Sequence, residues 1–132
     1  MADWVVPETT TDDKGWEQFA APIPIGPDTA PGHGSPEATV AHFYGALMRG
    51  DRDAAEASLA DPGSVRTAAK MDKIAAWTFD SVSIVGRKMK RANKGYVRLA
   101  FRVTIDGDSD EGEDDVTVRE RDGVWTIQRP PS

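Results

Sequence analysis

The chain has no cysteine among its 132 residues. Structural disulfides, thiolate metal sites and cysteine nucleophiles are excluded, and the absence fits a reducing, cytoplasmic setting. Long apolar runs are also missing; none approaches the roughly 20 residues that a membrane-spanning helix needs. Positive charge is in deficit, with 16 Lys and Arg against 22 Asp and Glu and a net charge of −6. An acidic chain is repelled by phosphate backbones, so nucleic acid is not an expected partner. The N-terminus, Met1-Ala-Asp-Trp-Val-Val-Pro7, has neither the basic nor the apolar region of a signal peptide, and none is expected. The length fits one domain.

What is present is organised around Tyr96–Ile105. The odd positions Val97, Leu99, Phe101, Val103 and Ile105 are apolar; the even ones, Tyr96, Arg98, Ala100, Arg102 and Thr104, are mostly polar or small. Side chains alternate faces along a strand, so this is a long antiparallel strand with one face on a core. Around it a meander is expected. Phe79–Arg91 is a strand in which Val82 and Ile84 lie on one phase and Val85 and Met89 on the other, predicting a bulge near Gly86. Residues 92–95 form a turn and 107–113 a loop. Asp115–Arg121 is the next strand, with Val116 and Val118 inward. Asp122-Gly123 is a hairpin signal. Val124–Gln128, with Trp125 and Ile127 on one face, closes the sheet before Pro130-Pro131.

Three helices precede the meander. Ser35-Pro36-Glu37 is a helix start: a capping hydroxyl, a proline suited to the first helical position, and an acid at the positive end. Val40, Phe43, Tyr44, Leu47 and Met48 follow at helical spacing, and Gly50 suits the left-handed position beyond. Asp51 caps a second helix, Arg52–Ala60, and Ser64 a third, running to about Trp77. Residues 1–34 read as a Pro/Gly-rich arm strapped on by its apolar side chains, including Trp4, Val5, Val6, Trp16 and Phe19. In it Thr11–Phe19 is expected to form one or two helical turns capped by Asp12 or Asp13. The prolines from Pro22 onward argue against regular helix or an inner strand. Pro24-Ile-Gly-Pro27 has PxxP spacing, a common match. The expected fold is α+β: residues 35–132 form N-terminal helices packed on one face of a curved antiparallel sheet of about four strands.

The run Ser35-Pro-Glu-Ala-Thr-Val-Ala-His-Phe-Tyr-Gly-Ala-Leu-Met-Arg-Gly-Asp51, with Ala54, Ala55 and Leu59, and the closing Arg121-Asp-Gly-Val-Trp-Thr-Ile127 resemble the nuclear-transport-factor-2-like superfamily. That resemblance implies a cystatin-like α+β cone. It implies no single reaction, because the superfamily holds steroid isomerases, dehydratases, polyketide cyclases, ligand carriers and non-catalytic partners. Its enzymes place an Asp, His or Tyr inside the cone.

No such acid–base pair is found in the residues, and no catalytic residue is assigned. The inward phase of Tyr96–Ile105 is apolar, and Val116 and Val118 add nothing that titrates. His42 lies about 160° to 200° round the helix from Val40 and Tyr44 and should face solvent; His33 sits between glycines. Asp72 and Asp80 read as a helix edge and a helix–strand junction. The ligand-pocket candidates are Tyr44, Met48, Asp72, Trp77, Phe101 and Trp125, each also readable as core or surface. The acidic run Asp106–Asp115 starts like a calcium loop, with Asp106, Asp108 and Asp110 at the first three ligand positions. It fails at position six, Glu111, and position twelve, Thr117. No metal or cofactor is expected. The basic run Arg87–Lys94 should lie at the end of the sheet near Asp122-Gly123, away from the acidic run. Arg98, Arg102, Arg119 and Arg121 are expected on the outward sheet face. They are candidates to meet a protein partner or a second copy, as in a homodimer through that face. The expected function is thus a small non-catalytic binding domain. The alternative is an isomerase-, dehydratase- or cyclase-like enzyme, or a carrier of a small apolar ligand.

Overall fold

Alternation and turn chemistry dominate the computed structural model, which describes residues 7–29 and 31–128. Its elements are β1 (Thr9–Thr11), β2 (Glu17–Ile25), α1 (Pro36–Met48), α2 (Arg52–Glu56), α3 (Val65–Ala75), β3 (Thr78–Arg91), β4 (Lys94–Ile105), β5 (Asp108–Arg121) and β6 (Val124–Ile127). The six strands form one antiparallel sheet in chain order. This corrects the expectation of about four strands preceded by helices. A hairpin, β1–β2, comes before the helices and extends the sheet beyond β3.

That hairpin lies where helical turns were expected. Asp12 does act as a cap, but for a turn: its Oδ1 accepts the amides of Lys14 and Trp16 at 2.9 Å each. An Asp can close either structure with the same bond. Glu17, Gln18 and Phe19 then alternate across the sheet, with Phe19 buried. Among the described residues, β1 pairs only with Glu17–Phe19. Pro22 and Pro24 follow where, among those residues, β2 is an edge and a missing N–H costs no ladder bond. Trp4, Val5, Val6 and Pro130-Pro131 lie outside the described residues.

The caps are those expected. Ser35 Oγ accepts from Ala38 N at 3.2 Å, Asp51 from Ala54 N and Ser64 from Thr67 N. Gly50 takes φ 76° past α1. The second helix is shorter than predicted and stops at Glu56. Helix α1 is buried almost all round, not along one stripe. The sheet covers one side, and residues 26–29 and 31–34 cross the other. Gly45 permits that crossing, since a Cβ there would collide with the Thr29 carbonyl oxygen.

In β3 the register slips between Ile84 and Gly86, the bulge that the change of phase predicted. It turns Arg87 to the inner face opposite Val97. Strand β5 differs from its expectation. It begins at Asp108, immediately after a turn with Asp106 at φ 52° and Gly107 at φ 85°. Positive φ at both central residues defines a type I′ hairpin. The acidic stretch is therefore strand, paired residue for residue from Asp108↔Ile105 to Arg119↔Lys94. The inner face of β2–β6 packs on α1 through Ile23, Ile25, Ile84, Val97, Leu99, Val116, Val118 and Ile127, among the residues of one core cluster.

Candidate functional site

The outer face of the sheet is set by register. Ala100 stands between Ser83 and Glu113, and Arg102 between Ser81 and Glu111. Small side chains in β3 and β4 leave a concavity of about 420 Å³, bounded by Ser81, Ser83, Ala100, Arg102, Glu111 and Glu113. Arg98 makes a two-pronged pair with Asp115, at 2.8 and 3.2 Å, and Arg102 pairs with Glu111. The Trp16 ring lies 3.8 Å beneath the Arg98 guanidinium and 6.5 Å from the Tyr96 ring. Asp115 holds the Arg98 guanidinium above its ordinary value. Arg119 and Arg121 alternate with these residues on the same outward face. The basic β3–β4 turn lies beside β5, where Glu120 N donates to Asn93 O at 2.8 Å. The acids that meet Arg98 and Arg102 thus come from the chain's own β5.

The pocket candidates scatter. Tyr44 is buried, its ring edge-on to Phe43 at 5.2 Å and to Phe79 at 5.5 Å; Phe79 in turn lies 6.2 Å from Trp77. Met48 is half-buried against the same core. Phe101 is half-buried opposite Gly112. Trp125 is buried farther along the same core: its carbonyl accepts the Thr39 hydroxyl, five residues before Tyr44 and about 7 Å away along the helix axis. Asp72 points out, 70% exposed, and pairs with Arg52 at 2.6 Å. Asp80 accepts from the Thr104 hydroxyl at 2.7 Å.

A titratable group on the inner phase was missed. Asp114 stands opposite the buried Leu99 and is half-buried. Burial pushes its carboxyl up, and its charge adds to the burial that raises the Tyr44 phenol. The signal was present: Asp114 is in phase with Val116 and Val118. His42 is likewise not free in solvent. Its Nδ1–H donates to the Pro31 carbonyl at 2.9 Å, and its ring lies 4.5 Å from that of His33. His33 Nε2 is 3.0 Å from Ser58 Oγ, and burial, then His42, lowers its pKa. Glu37, 1% exposed, is held by Arg87, which also meets Glu17. Among the described residues, no group of three or more His, Asp or Glu is placed to hold a metal ion.

The architecture has a solved counterpart. The chain resembles in fold a SEC-C motif containing protein from Rhodopseudomonas palustris, whose solution structure matches with a TM-score of 0.59. The match covers 74% of this chain and 78% of that one at 18% identity, a likeness of fold alone. No family model matches the chain, and no curated protein does. The resemblance to the nuclear-transport-factor-2-like superfamily is therefore corrected, together with its cystatin-like cone. The matched structure is a SEC-C motif protein, and the sheet has six strands, not four. The helix-capping run and the Asp-Gly-Val-Trp hairpin that carried the resemblance are local devices found in many folds. No helix among the described residues is long and apolar enough to cross a membrane.

Proposed function

We propose that the chain is a non-catalytic binding domain whose outer sheet face meets a protein partner or a second copy of itself. The observation that carries this reading is the open concavity over Ser81, Ser83 and Ala100, flanked by Arg102–Glu111 and by Arg98 stacked on Trp16. Aromatic and arginine side chains are the usual anchors of protein interfaces. Ion pairs already closed within the face fix its shape before a partner arrives, which lowers the ordering cost of association. The test is sedimentation velocity and crosslinking of the wild type against Arg98→Glu/Arg102→Glu, with circular dichroism to show an intact fold. Association lost in the variant supports the reading. Association unchanged in the variant removes the outer face from the reading, and none in the wild type removes the second copy as its occupant.

Asp114 favours a second reading. Its half-buried carboxyl lines an open concavity with Arg98, Glu113 and Asp115, a setting that fits a small ligand with one polar group, bound as cargo or as substrate. Native mass spectrometry of purified protein would show a copurifying mass that Asp114→Asn releases. No bound mass in either form removes this reading.

A further inference from the structure

A sheet ends wherever a strand has a neighbour on one side only. At the β6 end most of that boundary is closed: Ile127 N donates to Ser58 O and Ala60 N to Ile127 O. Strand β5 is fourteen residues long, yet β6 covers only Val118–Arg121, and Gln128 N adds one bond to Thr117 O. Among the described residues, no strand pairs with the remaining edge, Asp108–Val116.

The type I′ turn decides which backbone groups face that edge. Ile105 and Asp108 flank it as a hydrogen-bonded pair, so even-numbered residues of β5 bond to β4 and odd-numbered ones turn away. Glu120 N bonds towards β4 and Thr117 O away from it, in keeping with this parity. Ser109, Glu111, Glu113 and Asp115 therefore present a row of carbonyl oxygens about 20 Å long. The Glu111 amide is occupied by Asp110 Oδ1 at 2.9 Å. The amides of Ser109 and Glu113 face outward.

Charge selects the occupant. Asp108, Asp110, Glu111, Glu113, Asp114 and Asp115 put six carboxylates into eight residues. Two copies of this edge side by side would bring those acids together, which opposes self-pairing. Among the described residues, Arg98 and Arg102 engage Asp115 and Glu111, while Asp108, Asp110, Glu113 and Asp114 form no ion pair. A second concavity of about 480 Å³, bounded by Arg98, Glu113, Asp114 and Asp115, opens on the same stretch.

We propose that the Asp108–Val116 edge of β5 accepts an extended, lysine- or arginine-rich segment of a partner protein as a seventh strand. The partner's amides meet the outward carbonyls, and its cations, standing at every second residue and so on one face of the added strand, meet Glu113. This goes beyond the outer-face reading, because recognition runs through backbone at the sheet's edge.

The probe is a capped ten-residue peptide of alternating lysine and threonine, compared with the same peptide N-methylated at alternate residues, by calorimetry and amide exchange. The methylated form keeps its charge but cannot donate to carbonyls on its methylated residues. The expected result is at least tenfold tighter binding of the plain peptide, new exchange protection at Ser109 and Glu113, and a tenfold or greater loss in Glu113→Lys. Equal binding of the two peptides would mean charge attraction only and would overturn the proposal. So would no binding, or protection confined to Trp16 and Tyr96, which would return the interaction to the outer face. If Glu113→Lys misfolds, the peptide comparison on the wild-type chain still decides.

Discussion

Replacing Arg87 with methionine should destabilise the fold far more than replacing the residue it serves. Glu37 lies in the first turn of α1 with 1% of its side chain exposed, and one of its oxygens, Oε2, has no hydrogen-bond partner among the described residues. Arg87 reaches it from the inner face of β3 and also bonds Glu17 at 2.9 Å. Burial opposes the charge of Arg87, but the two acids outweigh it and hold the guanidinium above its ordinary value. Removing the cation strands a buried carboxylate, which costs 3–5 kcal/mol where burial is complete. Here Arg87 is 27% exposed and Glu17 28%, so the lower end applies: about 3 kcal/mol. Glu37→Met leaves Arg87 paired with Glu17 and puts an apolar group in an apolar place, at a cost of about 1 kcal/mol, including the lost helix-terminus interaction. The double variant should also lose only about 1 kcal/mol, a coupling of about 3 kcal/mol. Urea denaturation followed by tryptophan fluorescence measures all three. For a chain of this size Arg87→Met should lower Tm by roughly 9–18 °C. Equal single costs that add in the double variant would refute the reasoning, since Glu37 would then not depend on Arg87.

Three further outcomes follow from the same geometry. Asp114→Asn should raise stability at pH 7. Its carboxyl is pushed up by burial, so the folded state binds its proton more readily; the stability linked to that proton is full below the ordinary value of 3.8 and is lost as pH rises through the folded value. The gain in Tm should therefore shrink as pH is lowered towards 3.8, and a gain independent of pH would count against a buried Asp114. Gly45→Ala should cost about 1–3 kcal/mol by pushing Gly26 and Thr29 off α1, read as lost exchange protection at Thr29 together with a lower Tm. Ser35→Ala should cost about 1 kcal/mol through the lost cap on Ala38 N, and Ser35→Asp should restore it in the same denaturation assay.

Elements specified by local chemistry were legible in advance. Ser35, Asp51 and Ser64 each cap the helix they precede, the Gly86 change of phase marks the β3 bulge, and Asp122-Gly123 turns the last hairpin with φ values of 54° and 80°. Elements specified by a distant partner were not. Thr11–Phe19 carries no strong preference of its own, and the pairing of Glu17 and Gln18 with β3 decides it as the turn and second arm of a hairpin. The acidic half of β5 has poor β-propensity, so its composition read as loop. A physical clue was available: β4 alternates over its whole length, and a strand starting only at Asp115 would leave half of β4 unpaired. The outward arginines Arg98 and Arg102 were legible from alternation. Their partners Asp115 and Glu111 were not, because these depend on β5 beginning at Asp108. Asp114 was hidden by the same error, since its inward direction is defined only once the strand is extended.

Amide hydrogen exchange along residues 108–116 of the free protein shows whether this acidic segment is a strand that, among the described residues, bonds on one side only. Slow exchange is expected at Asp110, Gly112, Asp114 and Val116, which bond to β4, and fast exchange at Ser109 and Glu113, which face the open edge. Uniformly fast exchange from Asp108 to Asp114 would make the segment a loop. Protection at Glu113 equal to that at Gly112 would show that the edge is already occupied. Either result would show that β5 does not offer an open edge here.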